Sequence, residues 1–130
     1  MIYPVERKDF LFYVRGAVGA NDGRSKVGRL LVDTGARRTV LSLRLLREFG
    51  CVNERDRKVS VIAAGGVIQV PLVKVSWFSC LGNQIDDFEV LGLDLPRSAE
   101  MDGLLGMDFL TQMNAIVDIK ALEIRVKSGL

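Results

Sequence analysis

Leu30-Leu31-Val32-Asp33-Thr34-Gly35-Ala36 is the stretch on which the reading of this chain turns. Three apolar residues read as a buried strand, and a carboxylate follows them directly in a tight glycine turn. Removing an acid from water costs free energy unless hydrogen bonds or a partner compensate it. An acid kept at the end of a buried strand is therefore a candidate for chemistry. Asp-Thr-Gly occurs once in the sequence.

Working outward, Phe10-Leu11-Phe12-Tyr13-Val14 reads as a buried strand continuing towards Ala20. Asn21-Asp22-Gly23 reads as a turn and Val27 to Val32 as the returning strand. Thr39-Val40-Leu41 is a short strand. Ser42 is the expected N-cap of a short helix with Leu43, Leu46 and Phe49 on one face and Gly50 as its stop. Cys51 to Lys58 is a charged connection. Val59 to Val70 holds two apolar runs split by Ala63-Ala64-Gly65-Gly66, the pattern of a hairpin with a glycine tip. Leu72 to Cys80 and Gln84 to Leu91 are strands around a Leu81-Gly82-Asn83 turn, and Leu95 to Glu100 is irregular. Leu104-Leu105-Gly106 ends a short strand and feeds a helix to about Met113, while Ala115 to Ile119 and Leu122 to Val126 close the chain as strands. Many short strands with one or two short helices predict a mainly β, barrel-like fold.

The whole chain narrows the chemistry. Its 130 residues predict a single domain over 1–130, with 48% hydrophobic and 26% charged residues. A formal charge of +2 gives no reason to expect a nucleic-acid or membrane partner. The first nine residues lack the apolar core of a signal peptide, and no apolar run approaches the roughly 20 residues that span a bilayer, so a cytoplasmic location is expected. The sequence has no histidine, which removes Ser-His-Asp and Cys-His nucleophile systems and most zinc sites. Phosphate-binding and dinucleotide-binding glycine motifs are absent too. Asp86, Asp87, Asp94 and Asp102 lack calcium-loop spacing and read as surface acids, so no metal and no cofactor is expected. Arg44 and Arg47 read as a solvated helix face, and Cys51 and Cys80 as separate thiols. Among hydrolytic mechanisms, carboxylate chemistry remains.

The strand with Asp33-Thr34-Gly35-Ala36, the glycine-tipped hairpin and Leu104-Leu105-Gly106 before a helix, in that order, resemble the retropepsin family of aspartic proteases. Arg37-Arg38-Thr39-Val40-Leu41 and Phe109-Leu110-Thr111-Gln112 also look like retroviral protease segments, and the resemblance runs over roughly residues 27–127. It implies a closed, barrel-like acid protease fold assembling as a two-fold homodimer, and aspartic endopeptidase activity on a peptide or protein substrate. With one motif per chain, each subunit would contribute Asp33 to a shared site, as a two-fold axis allows. Two ionised carboxylates about 3 Å apart would repel by about 5 kcal/mol at an effective dielectric of 20. They therefore hold one proton between them and supply a base and an acid together.

The resemblance assigns roles residue by residue. Asp33 is catalytic, Thr34 hydrogen-bonds across the dimer beneath the aspartates, and Gly35 lets backbone approach the pair closely. Ala36, Arg37 and Arg38 line the substrate site, and Ala64, Gly65 and Gly66 form a flap tip, although an ordinary hairpin turn accounts equally for those glycines. Leu104, Leu105, Gly106 and Asp108 are structural supports. Ala36 offers no side-chain donor to the outer carboxylate oxygen, which leaves the pair less acidic and predicts activity from mildly acidic towards neutral pH. Retroviral relatives carry acids after the Ala and an Arg after the apolar-apolar-Gly. Here Arg37, Arg38 and Asp108 exchange those signs, which predicts an Arg37–Asp108 salt bridge. Arg38 reads either as a substrate contact favouring acidic or polar side chains or as a solvated residue on the rim. A retropepsin-like dimerisation or peptide-binding module with weak or absent catalysis is the alternative function. A nucleic-acid-binding barrel lacks both the net charge and a basic, aromatic stacking surface.

Overall fold

Period-two burial along the strands builds the molecule. In β3 (Leu11–Gly19), Val14, Gly16 and Val18 are buried while Arg15 faces out, and β3 returns through a turn at Ala20–Gly23 into β4 (Ser25–Val32). The computed structural model describes residues 1–127. Among them β1 (Ile2–Pro4), β2 (Glu6–Lys8), β5 (Val40–Ser42), β6 (Lys58–Ala63), β7 (Gly66–Cys80), β8 (Asn83–Leu93), β9 (Gly103–Leu105), β10 (Ile116–Asp118) and β11 (Glu123–Arg125) complete the strands. The helices are α1 (Leu43–Glu48) and α2 (Met107–Gln112). The fold is mainly β, as expected.

Eight strands run in the order β2-β3-β4-β9-β5-β8-β7-β6, and β3 also pairs with β7, which curls the sheet back on itself into a barrel. The centre of that order positions the site. β9 lies parallel to β4, with Val32 opposite Leu105, and antiparallel to β5, with Val40 opposite Leu104. The segment from Asp33 to Thr39 must therefore arch across the end of β9 to pass from one neighbour to the other.

The barrel core centres on Phe78, Phe88 and Phe109. Phe78 stacks on Phe88 at 5.2 Å between ring centroids and meets Phe109 edge-on at 5.3 Å. Leu30, Leu46, Val73, Val75, Val90, Leu105 and Ile124 are fully enclosed around them. Cys80 joins this core, where burial pushes its thiol up to about 12, and Cys51 is half-buried. A second cluster of Val40, Val70, Leu72 and Leu91 packs the root of the β6–β7 hairpin against β5. Beyond that root the hairpin projects, with Ile62, Val67 and Ile68 exposed.

Three local readings are corrected. Val67–Val70 and Leu72–Cys80 are one 15-residue strand, because Pro71 pairs with Lys58 as a ladder member that needs no N–H donor there. Ser42 stands at the N-cap of α1, yet its side chain makes no capping bond and is buried. Phe10, read as the start of a buried strand, lies in the turn between β2 and β3 and is exposed with Leu11. Ahead of it β1, which no pattern in the sequence marked, pairs with β11 in a separate sheet ordered β1-β11-β10. No helix of the described residues is long and apolar enough to cross a membrane.

Candidate active site

Asp33 leaves the end of β4 with its backbone N–H donating to the Leu105 carbonyl at 3.0 Å, one last ladder bond before the turn. Ala36 N–H then closes the turn on the Asp33 carbonyl at 3.1 Å. Gly35 N–H donates to Asp33 Oδ1 at 2.9 Å, which orients the carboxylate, and Asp33 is half-buried between exposed Thr34 and the strand. A Cβ on Gly35 would stand 3.2 Å from Asp33 Oδ1 and would touch nothing else within 4 Å. What this glycine leaves clear is the space beside the carboxylate.

The rest of the loop is bound to the start of α2. Met107 N–H donates to the Ala36 carbonyl at 2.8 Å, and Asp108 N–H donates to the Arg37 carbonyl at 3.1 Å. Gly106 packs so closely under the arch that a Cβ there would lie 2.5 Å from the Arg38 carbonyl carbon and 2.6 Å from its oxygen. Leu105 is fully buried and Leu104 partly so, which keeps this support in the sheet.

Asp108 does not pair with Arg37; that expectation is corrected. Its Oδ1 accepts from Thr39 N–H at 2.9 Å, Thr39 Oγ1–H at 2.8 Å and Phe109 N–H at 2.8 Å. Three donors turn the carboxylate inward and satisfy it without a cation. No ion pair among the described residues involves Arg37 or Arg38. Thr39, which sequence reasoning left as a strand residue, is the hub. It is fully buried, donates to Asp108 and accepts the Gly106 N–H at 3.1 Å. No local spacing could have exposed this role, since its partners lie 67 and 69 residues away.

A second hairpin flanks the turn. Tyr13 opposes Leu31, so continuing that register brings Phe12 beside Val32 and Leu11 beside Asp33. A hollow of about 520 Å³ opens there, lined by Arg7, Phe10, Leu11, Val32, Thr34 and Ile119 among others. Phe10 at the hairpin tip is 87% exposed and Ile119 is 73% exposed. Arg29 braces this hairpin, stacking on Tyr13 at 3.9 Å and pairing with Glu6 at 2.7 Å. Lys8 pairs with Glu100, whose carboxyl that ammonium holds below its ordinary value. Ala64 and Gly65 form the tip of the projecting β6–β7 hairpin, with Gly66 beside them at φ +122°.

The profile of a family described as aspartyl protease matches residues 15–109, a span holding the whole Asp33 loop and its Gly106–Asp108 support. The chain belongs to that family. Two solved structures are similar to this chain in fold at low sequence identity. A retropepsin-like aspartic protease from Rickettsia conorii is 20% identical with a TM-score of 0.68, covering 95% of this chain and 86% of that one. The retroviral protease-like domain of Ddi1 from Leishmania major is 19% identical with a TM-score of 0.59, covering 92% of this chain and 90% of that domain. The search of curated proteins found no match. The chain therefore has the retropepsin-like fold.

Proposed function

We propose that this aspartyl protease family member is an aspartic endopeptidase that works as a homodimer, with a water activated between two Asp33 carboxylates, one from each subunit. The observation that carries this reading is a single strand-end Asp33 per chain, oriented by Gly35 N–H and flanked by exposed Thr34 and an uncovered apolar surface. One carboxylate cannot be both base and acid at the same moment. Two brought together on a two-fold axis hold one proton between them. The ionised member takes a proton from the attacking water while the protonated member donates to the scissile carbonyl oxygen. Thr34 then lies beside the axis, where its hydroxyl would bond across to the partner and fix the relative tilt of the two carboxylates. Closure of the β6–β7 hairpin over a bound peptide, with Ala64, Gly65 and Gly66 at the tip, would exclude water.

Support for the dimer comes from the surface next to Thr34. If two Asp33 side chains meet, whatever adjoins them away from the cleft is covered by the second copy. The adjoining surface holds Phe10, Leu11 and Ile119, which are large apolar groups left in solvent in the single chain. Phe10→Asp removes the same contact twice in a two-fold interface and is expected to raise the dimer dissociation constant by about a hundredfold or more. Analytical ultracentrifugation of both proteins checks it.

The function itself is tested by cleavage of a diverse peptide mixture between about pH 4 and pH 8, wild type against Asp33→Asn. Cleavage by wild type alone is the expected result, lost at least about a thousandfold in the variant. Added in excess, folded Asp33→Asn chains should also suppress wild-type activity by forming mixed dimers. Indifference to that excess would show a site complete within one chain. No cleavage by either protein, both folded and dimeric, would favour a peptide-binding module instead.

A further inference from the structure

The Asp33–Thr39 arch reaches from β4 to β5 across the end of β9, so its second half lies on the opposite flank of Asp33 from the Phe10 hairpin. On that flank a second hollow, also of about 520 Å³, is lined by Arg37, Arg38, Met107, Asp108, Thr111 and Gln112. Its polar character is one-sided. The single carboxylate in the lining, Asp108, is committed to Thr39 and Phe109 and pairs with neither arginine. What remains open to an incoming group is two guanidiniums, a hydroxyl and an amide, three of them side chains rich in N–H donors. The backbone beneath is fixed, because the Ala36 and Arg37 carbonyls and the Thr39 N–H are all bonded to the first turn of α2.

We infer that this hollow is an anion-accepting subsite and that the enzyme selects protein or peptide substrates carrying Asp or Glu near the scissile bond; this rests on the endopeptidase reading. A peptide laid across the two Asp33 carboxylates must continue past Arg37 and Arg38 as it leaves the centre of the cleft. Planar guanidiniums on a fixed arch match a carboxylate in a two-point bond, and such a pair gains strength once a closed hairpin and the peptide keep water out. The two-fold repeats the hollow, so four guanidiniums would face one substrate and acidic residues would be favoured on both sides of the cleaved bond. Basic side chains would meet a positive rim that repels them.

The test uses matched peptides that differ only in Glu, Gln or Lys at positions flanking the scissile bond. They are assayed with wild type and with the double variant Arg37→Glu, Arg38→Glu. Wild type should prefer Glu to Lys by about tenfold in kcat/KM at low salt, with the ratio shrinking as salt is raised. In the double variant the ratio should invert. Equal cleavage of Glu and Lys peptides by wild type overturns the subsite while the endopeptidase reading stands. A double variant that is slower on all peptides, with the Glu preference kept, also overturns it and makes the arginines structural. Absence of cleavage of any peptide by wild type removes the endopeptidase reading and this inference with it.

Discussion

The Asp33–Thr39 arch and the β6–β7 hairpin both carry glycine-marked turns, yet they are built on opposite plans. The arch is held at successive residues by partners from the far end of the chain: Leu105 on Asp33, Met107 on Ala36, and Asp108 on Arg37 and Thr39. The hairpin beyond Val70 bonds only to itself, strand against strand, and leaves Ile62 88% exposed. Segments with few buried contacts open at low free-energy cost, whereas tightly bonded ones open only with the domain. A catalytic carboxylate needs a fixed frame, since small misplacements cost rate, and a covering arm needs freedom to move. Under the proposed function one chain would meet both needs, because the arch is anchored in its sheet and helix and the hairpin only at its root.

The comparison breaks most sharply at Gly106. An Ala there would press its Cβ against the Arg38 carbonyl and within 2.8 Å of Thr39 N, all backbone atoms of the arch. Because backbone cannot rotate away as a side-chain tip can, Gly106→Ala is expected to cost about 3 kcal/mol in denaturant unfolding. A loss under about 1 kcal/mol would show the arch to be as yielding as the hairpin. Next in size is Thr39→Val, which keeps the volume and removes the hydroxyl. Gly106 N–H would be left buried without its acceptor, and Asp108 would lose one of three donors. About 2 kcal/mol of stability should go with it. The amide protons of Ala36, Met107 and Asp108 should exchange with solvent sooner in this variant, by hydrogen-exchange measurement, while those of β6 stay unchanged.

These two variants also mark the limit of what the sequence discloses. Two hairpins were legible because their signals are local: Asn21-Asp22-Gly23 and Ala64-Gly65 sit between alternating or apolar runs, whereas the β2–β3 turn at Asp9-Phe10 carries no glycine and its Phe10 reads as strand. Asp33 and Leu104-Leu105-Gly106 were legible as motifs, and the structure brings them together across β4 and β9. The content of that junction was not. Opposed charges at Arg37 and Asp108 suggested a salt bridge, but a short buried hydroxyl at Thr39 satisfies the carboxylate more cheaply than a long cation that would have to leave water. β1 escaped notice for a related reason, since its partner strand begins at Glu123 and no pattern within three residues announces it.

The smallest effects belong to the hairpin tip, where two adjacent glycines should behave differently. Gly66 has φ +122°, a conformation strained for any residue with a Cβ, whereas Gly65 has open space around it and no such requirement. Gly66→Ala should therefore cost about 1 kcal/mol, and Gly65→Ala should stay within about 0.5 kcal/mol of wild type, both by thermal unfolding. Neither approaches the loss expected at Gly106, although all three exchange one hydrogen for one methyl. Activity should sort them in a different order. If the tip closes over substrate, the two hairpin variants should raise KM more than their small stability changes account for, because Ala stiffens a segment that must bend. Equal KM values in wild type and both variants would leave the projecting hairpin with no part in binding, and the contrast between a fixed floor and a closing arm would lose its second half.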